Sequence, residues 1–321
     1  MKKFNEIFID KTKYGEKIQT SEYEKQGKHI IVDQGQAEIA GYTNREEGLF
    51  NEVPVIIFGD HTRLIKYIDE PFFLGADGVK VLRSKDDDAN YKYLYYALKS
   101  AKIPNTGYNR HFKWLKDVEI NYPDSVKQEK IVDILDRVSD VIEKRKAELS
   151  YLDTLIKARF VEMFGDPIRN TQNRPTTEFI NVVKMQRGFD LPVQDRQQDG
   201  EIPVYGSNGA LDYHNVAKIH GGVITGRSGT IGKVFYTEGD FWPLNTSLFS
   251  ADTHGNNVIY LGYLLQLFDL TRFVEGTGVP TLNRNMFHNK QIIDVPIDEQ
   301  RVFAAFVNEI DKSKLQKFSA A

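Results

Sequence analysis

A long internal repeat constrains the fold of this 321-residue chain more than any other feature of its sequence. The apolar run 55–59 recurs as 223–226, so that Gly59 and Gly226 lie 167 positions apart. Four further pairs of segments match in the same order at similar offsets: 30–37 with 202–209, 67–73 with 235–241, 109–112 with 283–287, and 118–123 with 292–296. A shared order at nearly constant spacing predicts a tandem duplication.

Each repeat is predicted to be a mainly β unit. Short runs rich in strand-forming residues alternate with Gly, Asn and Asp, which favours an antiparallel sheet, and helices are predicted at 91–100 and 261–268. The chain is long enough for two domains with separate cores. We therefore predict an α+β fold with two similar units, whose surface loops are the natural place for recognition.

A helical segment of different character follows the first repeat. Its seam residues are spaced alternately by four and three: Ile131, Leu135, Val138, Ile142, Arg145, Leu149, Leu152, Ile156, Arg159 and Met163. This heptad spacing predicts a coiled-coil-like helix from about residue 126 to 164, roughly 55–60 Å long at 1.5 Å per residue. Gly165-Asp166-Pro167 would end it.

The predicted partner of this seam is the helix after the second repeat, where Val302, Ala305, Phe306 and Ile310 restart the pattern. The second helix is shorter, so only part of the seam has a partner within the chain. A single amphipathic helix packed on one domain is the alternative. The predicted organisation is a first recognition unit at 1–124, a spacer helix at 125–165, a second recognition unit at 166–297 and a shortened helix at 298–321.

Charge and composition limit the kinds of partner. The net charge is −3, so any nucleic-acid surface must be local. Two stretches contain several cations and no acid: 99–116 and 213–237. There are no cysteines, which fits a reducing compartment, and neither a signal peptide nor an apolar run of membrane-spanning length is evident. We expect a cytoplasmic protein.

The sequence lacks the motifs expected of a methyltransferase, a nuclease or a nucleotide-binding site. A methyltransferase would need a Gly-rich donor loop and an Asn/Asp-Pro-Pro-aromatic loop, and a nuclease would need Asp/Glu-x-Lys after Pro123-Asp124. The segment 226–233 imitates a phosphate-binding P-loop, but Lys233 is followed by Val234 and lacks the magnesium-binding hydroxyl. His214 and His220 are not at a spacing typical of zinc ligands. We predict no catalytic residue and no metal site.

The second repeat contains a series of segments with a specific order: 188–192, 202–209, 225–232, 279–283, Val295-Pro296 and Glu299-Gln300. In this order they resemble the target recognition domains of type I restriction-modification specificity subunits. The first repeat is a more divergent copy that keeps Gly35, Gly59, Pro123 and Gln128. It has Gly59-Asp60-His61-Thr62 where the second repeat has Gly-Arg-Ser-Gly.

The resemblance implies an architecture and a set of partners. Two recognition domains would be held apart by an antiparallel pair of helices, and each would read one half of a bipartite site in double-stranded DNA. Two methyltransferase (M) subunits would bind the helices, and restriction (R) subunits would join them. S-adenosylmethionine, ATP and magnesium would belong to these partners, with no cofactor on this chain. The short second helix departs from the family pattern and leaves full helix pairing open.

Residue chemistry suggests which side chains contact DNA. Arg pairs bidentately with guanine and Asn with adenine, whereas cations near the backbone bind phosphates. The predicted DNA contacts are Tyr108, Asn109, Arg110, Lys113, Arg227, Ser228, Lys233, Asn283 and Arg284. The alternative for 281–284 is a structural turn. The predicted contacts of the helix seam and M subunits are Ile131, Leu135, Val138, Ile142, Leu149, Leu152, Ile156, Val302 and Phe306.

Two other functions are compatible with parts of this pattern. A protein-binding scaffold could use the helix seam while its recognition domains no longer read DNA. A fused restriction and methylation enzyme that lacks its catalytic half would also contain these segments. Sequence-specific DNA binding by the assembled complex would exclude the scaffold, and a neighbouring methyltransferase gene would argue against the fused enzyme.

Overall fold

A 40-residue helix, Ser125–Phe164, separates two sets of strands with the same connectivity. The computed structural model describes residues 1–75, 77–197, 199–276 and 280–319, so Val279 of the predicted motif lies outside the described residues. The chain divides into two compact units, Met1–Lys144 and Arg145–Ala321, and the boundary falls within the long helix. We describe each unit separately.

The first unit contains nine strands and three helices before the long helix, within the part of it that the structure describes. The strands are β1 (Lys2–Lys3), β2 (Phe8–Asp10), β3 (His29–Val32), β4 (Gly41–Thr43), β5 (Val55–Gly59), β6 (Ile65–Ile68), β7 (Phe72–Leu74), β8 (Val79–Ser84) and β9 (Glu119–Ile120). The helices are α1 (Phe4–Ile7), α2 (Tyr91–Lys99) and α3 (Phe112–Lys116), followed by α4 (Ser125–Phe164). The sheets have the orders β2-β8-β5-β6, β4-β3-β7 and β1-β9.

The second unit repeats this arrangement. Its strands are β10 (Thr176–Glu178), β11 (Lys184–Arg187), β12 (Ile202–Gly206), β13 (Gly209–His214), β14 (Ile219–Gly226), β15 (Val234–Pro243), β16 (Ser247–Asp252), β17 (Val274–Glu275), β18 (Thr281–Leu282) and β19 (Gln291–Ile293). Its helices are α5 (Phe179–Val182), α6 (Val258–Phe268) and α7 (Ile297–Ser319). The long β15 replaces β6 and β7, and therefore joins six of these strands into one sheet, β11-β16-β14-β15-β12-β13. Two-stranded sheets are formed by β10-β19 and by β17-β18.

Strand register confirms the tandem duplication. Ile57 of β5 pairs with Lys66 and Val81, and at the equivalent place, 167 positions later, Ile224 of β14 pairs with Phe235 and Phe249. Each unit also has a pair of parallel strands, β3 with β7 in the first unit, where Val32 pairs with Leu74, and β12 with β15 in the second, where Val204 pairs with Trp242. The prediction of two mainly β units with antiparallel sheets is therefore confirmed.

The same polar residues begin the helices in both units. Asn90 caps α2 by accepting a hydrogen bond from the Tyr93 backbone N–H, and Asn257 caps α6 in the same way. Gln128 and Gln300 are both buried, and each donates its side-chain N–H to a backbone oxygen five residues earlier, at 2.8 Å. A buried amide needs such a partner, because an unsatisfied polar group in a protein interior is costly.

The two halves of α4 belong to different cores. In the first unit Asp136 accepts hydrogen bonds from Lys92 (2.7 Å) and Tyr96 (2.6 Å) of α2, and these bonds lower the pKa of its carboxyl. In the second unit Phe160 packs against Tyr260 and Phe303, and Lys314 of α7 binds Asp153 at 2.8 Å. The later half of α4 thus pairs antiparallel with α7.

The structure corrects the register of the predicted seam. Val302 is 58% exposed and Ala305 is also exposed, whereas Phe303, Ala304 and Val307 are buried. The buried positions follow Gln300 at i+3, i+4 and i+7, because Gln300 itself faces the core. Phe306 is partly buried against the core. The remaining seam residues range from buried (Ile156), through partly buried (Ile131, Leu135, Leu149, Leu152), to exposed (Val138, Ile142).

Candidate nucleic-acid interface

The turn that follows β14 has a conformation that requires glycine. A Cβ atom on Gly226 would lie 1.8 Å from the backbone oxygen of Thr230, and Gly229 and Gly232 have φ angles of +83° and +95°. These constraints explain the spacing of glycines in the segment 226–233. The Thr225 hydroxyl closes the turn by donating to the Lys233 backbone oxygen at 2.8 Å. The turn therefore holds Arg227 and Ser228 in a fixed place.

This turn contacts the segment that contains Asn283 and Arg284. The Leu282 backbone N–H donates to the Arg227 oxygen at 2.8 Å, and Ser228 and Thr281 form an isolated β-bridge. The backbone N–H groups of Arg227 and Ser228 also donate to the Thr246 oxygen. Four of the predicted DNA contacts of the second unit are thus brought together, although they lie more than fifty residues apart in sequence.

The other predicted contact of the second unit, Lys233, has a different place. Its ammonium donates to the Asn208 side chain at 2.7 Å, on the loop between β12 and β13. It does not line the cleft described next. Lys233 is exposed and remains able to contact a phosphate at the surface.

A cleft of about 390 Å³ lies beside the Arg227 turn. It is lined by Arg187, Arg227, Leu248, Glu275, Thr281, Leu282, Asn283, Arg284 and Asn285. Three of these residues are arginines and one is an acid, so the lining has a local excess of positive charge. Arg187 was not predicted, because only the pairing of β11 with β16 brings it to this place.

Asn283 has a structural role in this cleft. Its side-chain oxygen accepts a hydrogen bond from the Asn285 N–H at 3.1 Å, and its amide donates to Glu275 at 3.2 Å. These bonds begin the short 3-10 turn that carries Arg284. Both ends of the amide are therefore engaged within the protein, which favours the structural-turn alternative for this asparagine.

In the first unit the equivalent contact is made by a buried histidine and an aspartate. His111 is fully buried and its Nδ1 lies 3.0 Å from the Asp60 backbone oxygen. The Asp60 carboxylate accepts from the Phe112 N–H at 2.7 Å. Asp60 follows Gly59 as Arg227 follows Gly226, and its backbone oxygen accepts from the His111 N–H at 2.8 Å, as the Arg227 oxygen accepts from the Leu282 N–H. The bond from the Phe112 N–H to the Asp60 carboxylate is additional, and an arginine at this position could not accept it. The sequence departure at 59–62 was the signal for this difference.

The loop at residues 105–110 is held by this anchor. The Asn109 side-chain amide donates a hydrogen bond to the Thr106 backbone oxygen at 2.5 Å. Like the amide of Asn283, it is therefore engaged in a hydrogen bond within its own loop. Tyr108 is 88% exposed and stacks on His61, with ring centroids 4.7 Å apart and planes inclined by 9°. Arg110 is exposed, and its side chain makes no hydrogen bond or ion pair with the described residues.

The surrounding charges support a cationic loop. Lys113 lies over the Trp114 ring at 4.2 Å from its centroid. Asp77 is bonded to Lys17, which lowers the pKa of its carboxyl, and Arg110 adds a smaller effect in the same direction. Tyr108, Asn109, Arg110 and Lys113 therefore lie in one region of the first unit, and the Asp77 carboxylate near Arg110 is already paired with Lys17.

One histidine of the second unit has a perturbed ionisation. His288 accepts a hydrogen bond at Nε2 from the Met185 backbone N–H (3.2 Å). Burial lowers the pKa of His288, and the nearby charges of Arg284 and Lys184 lower it further. The neutral ring is therefore the form that the fold requires.

Two general properties follow from the described part of the chain. Across residues 1–75, 77–197, 199–276 and 280–319, there is no group of three or more His, Asp or Glu residues that could hold a metal ion. Within the same residues, none of the helices combines the length and apolar character needed to cross a membrane.

The chain resembles known proteins along most of its length. The model of a family described as the type I restriction modification DNA specificity domain matches residues 1–151 and 170–318. The EcoR124I/EcoR124II specificity subunit of Escherichia coli is 30% identical over 133 residues, which are 37% of this chain and 33% of that protein. That alignment thus spans about a third of the relative.

A solved structure has a similar fold. The crystal structure of the S subunit of the type I restriction-modification system from M. genitalium matches with a TM-score of 0.61 and 18% sequence identity. The match covers 99% of this chain and 91% of that chain. At this identity the likeness concerns the fold alone.

Proposed function

Because this chain belongs to the family of type I restriction-modification DNA specificity domains, we propose that it selects the DNA sequence on which such a complex acts. Each unit would read one half of a bipartite target in double-stranded DNA. The observation that carries this proposal is the family match to both repeats, together with a cationic loop region in each unit. We assign the recognition domains to residues 1–124 and 166–297.

Exposed side chains divide between the two kinds of DNA contact. Arg110 and Tyr108 project from an anchored loop, so they are suited to enter a groove and reach base edges. Lys113 and Lys233 are exposed cations suited to phosphates. The amide groups of Asn109 and Asn283 are bonded within their own loops, and we propose that they position the neighbouring arginines instead of reading adenine.

The chain is proposed to be non-catalytic and to act through partner subunits. Two M subunits would bind the helices and supply adenine methylation, and R subunits would supply the endonuclease. S-adenosylmethionine, ATP and magnesium would bind to these partners, with no cofactor on this chain. The exposed apolar side chains of α4, Ile134 (62% exposed), Val138 (49%) and Ile142 (49%), offer the M subunits a contact surface. The complex would act in the cytoplasm, where host DNA lies.

Footprinting of a reconstituted complex tests this proposal. The purified chain would be combined with its M subunits and incubated with genomic DNA fragments. The fragments that bind would be sequenced, and the bases that the complex protects from cleavage would be mapped. We expect two protected half-sites separated by a spacer that carries no sequence preference. The chain alone should bind weakly and methylate nothing. An assembled complex without sequence preference would contradict the proposal and favour a protein-binding scaffold.

A further inference from the structure

We propose that the cleft lined by Arg187, Arg227 and Arg284 is a clamp for one backbone phosphate of the bound DNA. The three arginines would fix the position of the second unit on the duplex without reading a base. This inference rests on the proposed function, and it assigns a ligand, a phosphodiester, to one particular cleft. We call this site the arginine cleft.

The charge of the arginine cleft is concentrated by the fold. Arg187 ends β11, Arg227 begins the turn after β14, and Arg284 follows β18, so three separate elements each contribute one guanidinium. The only acid among the lining residues, Glu275, accepts a hydrogen bond from Asn283. The chain as a whole has a net charge of −3, so this excess of cations is local. Arginine suits this task because its planar fork can bind phosphate oxygens bidentately.

A polar network holds two of the three arginines in position. The Asp190 carboxylate lies 3.6 Å from Arg187 Nη2 and accepts a hydrogen bond from the Asn245 amide. The Asn245 backbone oxygen in turn accepts from Arg227 Nη1 at 3.4 Å. The path Arg187, Asp190, Asn245, Arg227 therefore connects one guanidinium to the next. Such prior positioning reduces the side-chain entropy that binding would cost.

The concave shape of the site favours a phosphate over a base. Base edges lie at the floor of a major groove about 8.5 Å deep, so a side chain that reads them must project from the protein. The arginine cleft recedes between β11, β14 and the 3-10 turn, and Arg227 and Arg284 are only partly exposed. A phosphate projects from the duplex and can enter such a cleft. By contrast, Arg110 of the first unit is exposed on a loop, as a side chain that reads base edges must be.

Within residues 1–75 and 77–144, the first unit has no equivalent clamp. Asp60 occupies the position of Arg227, is 4% exposed, and is bonded to the Phe112 backbone. A buried carboxylate at this place would repel a phosphate. We therefore expect the contribution of the clamp to be confined to the half-site that the second unit binds.

The experiment uses the full chain assembled with its M subunits and a duplex that carries the target sequence. Binding is measured over a range of salt concentrations for Arg187→Gln, Arg227→Gln and Arg284→Gln, with the exposed Arg169→Gln as a matched control. Losing one charge-assisted contact should weaken binding about 10- to 100-fold. A variant with all three substitutions loses the whole phosphate contact and should reduce the slope of log K against log salt by about 0.9. Each single variant should reduce it by a part of that. The control should change neither quantity.

A neutral backbone linkage identifies the phosphate directly. Single methylphosphonate substitutions are placed along the duplex. At one position in the half-site of the second unit, the substitution should weaken binding by the complex that contains the unmutated chain. The same methylphosphonate should weaken binding less in Arg227→Gln, and least in the variant with all three arginines replaced, because part or all of the phosphate contact has then already been lost. Arg227→Lys should keep most of the salt slope while it loses the bidentate geometry. A melting curve for each variant checks that the second unit still folds.

The possible failures are distinct. Unchanged affinity and salt slope in all three variants, with specific binding intact, would overturn the clamp alone. A variant that keeps its slope but accepts a different base at one position would also overturn it, because the arginine would then read a base. A complex without any sequence-specific binding would overturn the proposed function and the clamp together.

Discussion

Replacement of Phe160 by alanine should destabilise the second unit by an amount that the structure allows to be estimated. Phe160 lies on α4 and is fully buried, with ring centroids 4.9 Å from Phe164, 5.6 Å from Tyr260 and 5.3 Å from Phe303. Removal of a buried phenylalanine side chain typically costs about 3–5 kcal/mol, from lost transfer energy and the cavity that remains. In a domain of this size each kcal/mol lowers the Tm by about 2–4 °C. We therefore expect a decrease of roughly 6–20 °C.

Scanning calorimetry of the full chain is the assay, with Val161→Ala as the control on the same helix. Val161 is 41% exposed, so its truncation should change stability by no more than about 0.5–1 kcal/mol. Hydrogen exchange should show that Phe160→Ala loosens residues 145–164 and α7, while residues 1–120 keep their protection. If Phe160→Ala and Val161→Ala had equal effects, the later half of α4 would not be part of the second core, and the reasoning would fail.

Three further outcomes are expected. Gly226→Ala should cost about 1–3 kcal/mol, because its Cβ would meet the Thr230 backbone oxygen, whereas Gly239→Ala has room and should be nearly neutral in urea titrations. Burial lowers the pKa of His288, so the unfolded chain binds a proton at this residue more readily than the folded chain does. Stability should therefore fall as the pH drops below about 6.5, and thermal melting at pH 7.5 and pH 5 should show a smaller fall in His288→Gln. Arg110→Gln should leave the Tm unchanged, because the side chain is exposed. Selection from randomised duplexes should show that the variant prefers different bases in one half-site.

The duplicated fold could be predicted from the sequence because its signals are local and repeated. Strand-forming runs, turn glycines and the heptad spacing of α4 each depend on neighbouring residues. The predicted helix at about 126–164 is observed at Ser125–Phe164 for this reason. The sequence pattern places the seam of α7 on Val302, whereas the structure buries Phe303. Residues 302–307 are all apolar and do not fix a register, which is set instead by the burial of Gln300.

The roles of site residues depend on long-range contacts and were harder to predict. Asn109 and Asn283 have the chemistry of adenine readers, but loop hydrogen bonds that no spacing rule reveals occupy their amide groups. Arg187 lies forty positions before Arg227 in sequence, and strand pairing alone places the two around one cleft. The buried pair of Asp60 and His111 is equally non-local. The assignment of DNA-contacting residues stays a prediction.

Single-molecule sequencing of host DNA for methyladenine tests the central claim most directly. DNA would be compared from cells that express the M subunits with and without this chain, and also with Arg110→Gln. We predict a bipartite methylated motif that appears only when the chain is present. In Arg110→Gln, one half-site of this motif should lose sequence specificity. Unchanged methylation in cells where the complex is demonstrably assembled would contradict the account.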